Sequence, residues 1–218
     1  MTETKTHWNK KYSEVNQLWG FKPKGTLVQY NSLIPKKGKI LDLGVGEGRN
    51  ALYFSSIGFD VEGVDISEKA IERCKINAEE AKLDIRASVG DIRNIHIQER
   101  SYSLIILSKV LNFFNDNEIK NIMRNVKNGL VDGGLIYIDV FDVSDPAYEK
   151  SKNQYEEVSV NTFYHPKIKS HMHYFTMTEL ESHFKGYNTI KLSQTYSLDL
   201  GHGEPHFHGT IETLIQKL

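Results

Sequence analysis

The run Lys39-Ile-Leu-Asp-Leu-Gly-Val-Gly-Glu-Gly-Arg-Asn50 constrains this chain more than any other stretch. Ile40, Leu41 and Leu43 form a short apolar run that stops at a turn signal, as a parallel strand buried on both faces does. Gly44, Gly46 and Gly48 let the backbone turn tightly and approach a ligand closely. The helix that follows offers free N–H groups at its start. Strand, glycine loop and helix are therefore expected in that order, with a ligand at the carboxyl edge of a parallel sheet.

The glycine spacing narrows the ligand. A dinucleotide fingerprint needs glycine at 44, 46 and 49, but position 49 is Arg and the third glycine is Gly48. Asp42 suits a pyrophosphate poorly and suits a positively charged group such as an ammonium. An acidic residue followed by G-x-G-x-G resembles the first motif of the class I S-adenosylmethionine-dependent methyltransferases. A tight strand-to-helix turn in some other α/β protein is the plainer alternative. The resemblance implies an α/β, Rossmann-like fold: a seven-stranded, mainly parallel sheet with the last strand antiparallel and helices on both faces. It also implies S-adenosylmethionine as cofactor and S-adenosylhomocysteine as product.

The rest of the first half fits alternating strands and helices. A helix over Asn50–Ile57 ends at Gly58, and Phe59–Val64 reads as a second strand ending at Asp65. Asp65 follows Gly44 by about 20 positions, the separation at which a β-α-β unit delivers an acid to a ribose diol. Ser67 is the better helix cap there, leaving Asp65 for a ligand. The helix Ser67–Ala81 carries Ile71, Cys74, Ala78 and Ala81 on one face, so Cys74 reads as a small buried hydrophobe. A third strand, Ile85–Val89, ends at Gly90-Asp91, and a fourth, Tyr102–Ser108, is another buried run. By the resemblance, Asp91 accepts from the adenine amino group with Ile66 and Ile92 flanking the ring. The expected cofactor contacts are thus Asp42, Gly44, Gly46, Gly48, Arg49, Asp65, Ile66, Asp91, Ile92 and Ser108, with Asp42 and the glycine loop on the methionine portion.

Further on, Asp116 is expected to cap a helix whose Ile119, Ile122, Met123, Val126 and Leu130 form a core stripe. Asp132-Gly-Gly134 turns into a fifth strand, Leu135–Phe141. Asp142–Tyr174 reads as a long irregular connection. Thr176 or Thr178 starts a helix through Phe184, and strands follow over Asn188–Leu198 and Phe207–Gln216. The segment 1–38 forms an N-terminal helical extension before a methyltransferase domain at 39–218. Its His7, Trp8, Tyr12, Trp19 and Phe21 fit either helices packed onto the domain or a lid closing over a cofactor.

Composition limits the partners. With a net charge of −1 and interspersed signs, the chain has no field to gather nucleic acid. One cysteine allows neither an intramolecular disulfide nor a cysteine zinc site, and no apolar run approaches a membrane span. The polar start of the chain is unlike a signal peptide, so a cytoplasmic protein, monomeric or homodimeric and acting on a small molecule, is expected.

Seven of the nine histidines lie beyond residue 160. Topology carries His171 and His173 after strand five, and His202, His206 and His208 after strand six, toward the ligand edge. Neighbours at i and i+2 in an extended segment share a face, so both pairs could present two imidazoles to one space. They fit a substrate wall or general base, a nitrogen and oxygen metal set with Glu204, or plain loop structure. Flexible loops show no fixed ligand spacing, so no metal site is assigned from sequence.

The pattern Leu41-Asp-Leu-Gly-x-Gly-x-Gly-Arg-Asn-Ala-Leu-Tyr53, then Gly58-Phe-Asp-Val61, resembles the tellurite-resistance type and related small-molecule methyltransferases. That implies a thiol or chalcogen oxyanion as acceptor, with an O- or N-methylated metabolite and a histidine base as the alternative. The strand-four exit, Ser108-Lys-Val-Leu-Asn-Phe-Phe114, lacks the Asn/Asp-Pro-Pro-Tyr/Phe signature of nitrogen methylation in nucleic acids. Two rival classes are a nicotinamide oxidoreductase, which Arg49 and Asp42 disfavour, and a cofactor- or metal-sensing module.

Overall fold

The computed structural model describes residues 3–15, 17–199 and 204–218. Five parallel strands carry the centre: β1 (Lys39–Leu43), β2 (Val61–Asp65), β3 (Ile85–Val89), β4 (Tyr102–Ser108) and β5 (Leu130–Phe141). The chain then adds β9 (Asn188–Asp199) at the edge and inserts β10 (His206–Gln216) between β5 and β9. The resulting order is β3-β2-β1-β4-β5-β10-β9. The last strand, β10, runs antiparallel to both neighbours, so β9 points the same way as the five parallel strands. The expected seven-stranded, mainly parallel sheet is therefore present, and β1, β2, β4 and β9 all open onto one edge.

Alternation along the strands divides the core into two layers. Ile40, Leu104, Ile106, Leu135 and Tyr137 pack with Ala51 and Phe54 of α3 (Arg49–Ser56) and with Ile71 and Cys74 of α4 (Glu68–Glu80). Their neighbours Leu41, Leu43, Ile105, Leu107, Ile136 and Ile138 pack against α5 (Asp116–Gly129) and α7 (Met177–His183). Both faces are thus covered by helices. Among the described residues, no helix is long and apolar enough to cross a membrane.

Gly48 supports this packing, not the ligand wall. It stands at φ +96°, and a Cβ there would lie 2.9 Å from Cys74 Sγ, so the glycine lets α3 and α4 meet closely.

Three local readings are corrected. Asn115, not Asp116, caps α5: its Oδ1 accepts from the backbone N–H groups of Asn117 and Glu118, both at 3.1 Å. Glu118 closes the box by accepting from Asn115 N at 3.0 Å. β5 begins at Leu130, because Asp132-Gly-Gly134 forms a bulge within the strand; the partner of Tyr102 is Leu130, whereas that of Leu104 is Leu135. Asp142–Tyr174 is not irregular. It folds into α6 (Pro146–Gln154) and a small antiparallel sheet of β6 (Glu157–Ser159), β7 (Thr162–His165) and β8 (Ser170–His173).

The N-terminal segment contributes α1 (Glu3–Glu14) and α2 (Gly25–Gln29). Asn115→Ala is expected to lower unfolding stability by about 1 kcal/mol. Asp116→Ala, whose carboxylate receives the longer bonds of Ser159 and Thr162 and stands 3.8 Å from His173 Nδ1, should lower it by less than half as much. Chemical denaturation of the two variants measures both, and the reverse order would refute this assignment of the cap.

Candidate functional site

A cavity of about 1060 Å³, counting its open mouth, lies at the carboxyl edge of β1, β2, β3 and β4. Its floor is the glycine loop, with Gly44 at φ +79° and Gly46 at φ +57°. A Cβ at Gly44 would press on Val110 at 3.0 Å, and one at Gly46 would lie 2.8 Å from the Tyr12 hydroxyl. Only glycine permits both the backbone turn and this close covering.

Asp65 ends β2 beside the loop. Its Oδ2 accepts from Gly46 N at 3.0 Å, and its Oδ1 accepts from Ser67 N at 2.8 Å. Burial pushes the carboxyl up to about 6, with the Ser67 and Gly46 amides pulling against it. The carboxylate therefore shapes the loop and also forms part of the wall. Two such bonds leave lone pairs for a ligand hydroxyl. Asp91 also lines the cavity, fixed by Arg93, whose Nε lies 2.9 Å from Asp91 Oδ1. Arg93 in turn reaches Glu118 at 2.7 Å. Ile66, Ile92, Arg49 and Ser108 complete the lining expected from the sequence.

Asp42 and Gly48 do not line the cavity. Asp42 is 2% exposed and lies behind the loop. Burial pushes its carboxyl up to about 7, opposed by the Arg49 charge and reinforced by Asp65. The expected direct contact between Asp42 and an ammonium is thus not present at the cavity surface. Arg49 bridges the site, donating to Trp19 O and to Ser108 Oγ, both at 3.3 Å.

The N-terminal extension supplies one wall through Thr4, Trp8, Tyr12, Trp19 and Gly20, whereas Phe21 is half-exposed and outside it. It is tied to the glycine loop by Glu47, whose carboxylate accepts from Gln17 N at 3.1 Å and Leu18 N at 2.6 Å and pairs with Arg73 at 3.0 Å. Trp8 meets Phe113 edge-on at 5.1 Å across the cavity.

Sequence reasoning gave no role to Lys109, which follows β4 directly at φ +57° and lines the cavity. Its Nζ is buried, 2.9 Å from Asp139 Oδ1 but not aligned as a hydrogen bond, and 4.1 Å from the Phe141 ring centre. Burial pulls the ammonium below the usual lysine range, and Asp139 opposes this. For Asp139 the burial penalty is outweighed by Lys109 and Lys24, which hold its carboxyl below the ordinary value. The legible signal was a lone acid inside the apolar run Leu135–Phe141, which requires a buried cation nearby.

Among the described residues, the structure does not bring the histidines together at the cavity. His173 is 2% exposed, with Nδ1 2.7 Å from Thr162 Oγ1 and Nε2 2.9 Å from Glu179 Oε1. It fastens β8 to β7 and α7. His171, on the same small sheet, meets the edge of Tyr164. His206 and His208 face each other on β10, with Nε2 atoms 3.0 Å apart. None of these four lines the cavity. The i, i+2 pairing holds on both strands: on β8, His171 and His173 meet their opposite residues Tyr164 and Thr162 of β7, away from the cavity. His202 lies outside the described residues.

A family model described as "Tellurite resistance protein TehB" matches residues 4–165. The probable S-adenosyl-L-methionine-dependent methyltransferase TehB of Haemophilus influenzae is 38% identical over 96 residues, 44% of this chain and 33% of that protein. A carboxy-S-adenosyl-L-methionine synthase of Shewanella halifaxensis is 31% identical over 171 residues, 73% of this chain and 58% of the synthase. The matched stretches thus span a third to about three fifths of these relatives' lengths. The fold agrees with the H. influenzae TehB crystal structure at a TM-score of 0.70 and 24% identity, over 99% of this chain and 67% of that one. A Burkholderia thailandensis 1,6-didemethyltoxoflavin-N1-methyltransferase, solved with S-adenosylhomocysteine, superposes at 0.74 with 14% identity, over 99% and 87% of the two chains. With the family model matching most of its length, the chain belongs to the TehB tellurite-resistance family of class I S-adenosylmethionine-dependent methyltransferases.

Proposed function

We propose that this protein transfers the methyl group of S-adenosylmethionine to a small anionic acceptor with a soft nucleophile, a thiolate or a chalcogen oxyanion. The observation that carries the reading is the cavity's charge inventory. Its one deeply buried ammonium, Lys109, stands at the β4 exit against Asp139 behind it, while the carboxylates that line the cavity are engaged. Glu47 holds two backbone amides, Asp65 two more, and Asp91 its arginine. A hydroxyl acceptor requires a base to take its proton, whereas an acceptor already anionic requires a cation and a dry pocket. Lys109 supplies the cation, and Val110, Phe113, Phe114 and Trp8 supply the apolar wall.

When bound, the cofactor would supply a methyl group on a sulfonium, whose transfer to the acceptor lone pair would leave the sulfur–carbon bonding electrons on sulfur. The chain's part is alignment. Asp65 accepts from the ribose hydroxyls, Asp91 accepts from the adenine amino group, and Ile66 and Ile92 flank the ring. Arg49, a planar donor fork, suits the methionine carboxylate. Asp42 adds negative charge beneath the loop, and the N-terminal extension acts as a lid held by Glu47.

Lys109→Met should cut turnover of an anionic acceptor by about 10- to 100-fold with little change in cofactor affinity, and Lys109→Arg should retain more activity than Met. Assays with tellurite, selenite and small thiols beside hydroxyl and amine acceptors test this. Turnover confined to the hydroxyl or amine class, or Met equal to wild type, would overturn the reading.

Because Asp42 and Asp65 hold their protons in the fold above the pH at which an unfolded chain loses them, stability should fall as pH rises from about 4 to 7. A cationic cofactor favours their ionised forms, so its binding should release protons and tighten over the same rise. Calorimetry in buffers of different ionisation enthalpy measures this, and proton uptake would contradict it.

Glu47→Gln should weaken cofactor binding by about 10-fold and expose the 17–20 segment to protease, through loss of charged acceptors for two lid amides. A variant with unchanged affinity and unchanged cleavage would remove the lid from the account.

A further inference from the structure

We propose that Asp199, His206 and His208, at the paired ends of β9 and β10, form a binding site for a divalent transition-metal ion of the zinc class. It stands apart from the cofactor cavity and does not depend on the acceptor reading. Register assembles the three ligands: His206 is directly opposite Asp199, and His208 is two residues along the same strand. All three side chains therefore leave the same face of the ribbon. One ligand atom from each lies within 4.8 Å of the other two.

The second shell sets the tautomers. His208 Nδ1 is 2.8 Å from Asp145 Oδ2, and Asp145 is buried with its carboxylate also accepting from Gly209 N at 3.2 Å and Ala147 N at 2.8 Å. An ionised carboxylate only accepts, so the His208 proton is on Nδ1 and a lone pair is on Nε2. His206 Nδ1 is 2.7 Å from the carbonyl oxygen of Glu204, which places its proton and lone pair in the same way. The two Nε2 atoms then face each other across 3.0 Å, a separation that a proton or a metal ion can bridge. A shared proton would serve the two nitrogens. A metal ion serves them and also Asp199, whose Oδ2 is 3.9 Å from His208 Nε2. Ligands of tetrahedral zinc stand about 3.3 Å apart, so a rotation of the Asp199 side chain toward the two imidazoles completes the set, with a fourth position for water or another donor.

The carboxylate–histidine–metal relay is how protein metal sites fix ring orientation and raise ligand basicity. This site is built for it. A Cβ at residue 209 would lie 2.4 Å from Asp145 N and 2.3 Å from Ser144 Oγ, so the glycine after His208 is what lets β10 approach the carboxylate. Phe141 holds the other side of the His208 ring at a centroid distance of 4.7 Å. The same Phe141 ring carries the Lys109 ammonium, so an ion here would sit one side chain from the acceptor end of the cavity.

The test uses the full chain, free of any affinity tag and stripped with chelator, titrated with Zn²⁺ by calorimetry and with Co²⁺ by visible absorption, without cofactor. One equivalent should bind, with cobalt bands of a nitrogen and oxygen tetrahedral site. His206→Gln should abolish saturable binding, and Asp145→Asn should weaken it by about 10- to 100-fold. Because Asp145 also caps α6 and its loss could unfold that corner, His206→Gln, at a partly exposed strand end, is the deciding variant. Absence of saturable binding in the wild-type chain, or binding untouched by His206→Gln, would overturn the proposal, the second outcome placing the ion elsewhere.

Discussion

The architecture of the site depends on one bond, the hydrogen bond from the Gly46 amide to the Asp65 carboxylate. It joins a loop whose glycines all hold positive φ to the end of the neighbouring parallel strand. The same carboxylate holds Ser67, which then caps α4 by accepting from Ala70 N. Loop, strand end and helix start are thus ordered by a single side chain, and its buried charge carries the cost that raises its pKa to about 6. A ligand bearing hydroxyl donors and positive charge would offset that cost, which ties the stability of the apo fold to its affinity for such a ligand.

Around that centre, charges are paired according to depth. Asp139, within an otherwise apolar strand, is ionised because Lys24 and Lys109 converge on it from the extension and from the β4 exit. Lys24 also donates its backbone N–H to Asn50 of α3 at 3.1 Å. The extension is therefore anchored at four points of the site, through Glu47, Arg49, Asn50 and Asp139. Ordering of the extension and ordering of the β4 exit are physically coupled, because Asp139 binds a lysine from each.

Much of this was legible in the sequence where local pattern and burial agree. β3 and β4 have the bounds read from the sequence, and Asp65 and Asp91 stand at strand ends as the topology requires. The small sheet after β5 was not legible. Its strands are three or four residues long and partly exposed, so neither periodicity nor propensity marks them. The α5 cap was misplaced by one residue because Asn115 and Asp116 are both capable caps, and only the backbone torsions decide between them. The histidines illustrate a different limit. A short strand says which side chains share a face but not what lies beneath it, and His173 acquired its place from Thr162 and Glu179 on other elements. Asp145 and Asp199 join His208 only through long-range pairing, which no local motif announces.

The most direct measurement is a calorimetric titration with S-adenosylhomocysteine of the wild-type chain and of Asp65→Ala and Asp91→Ala, with NAD as the comparison ligand. The account predicts one saturable site for the nucleoside, a loss of at least about 10-fold in affinity for each variant, and no binding of NAD. Equal affinity in all three proteins, or a preference for NAD, would contradict it.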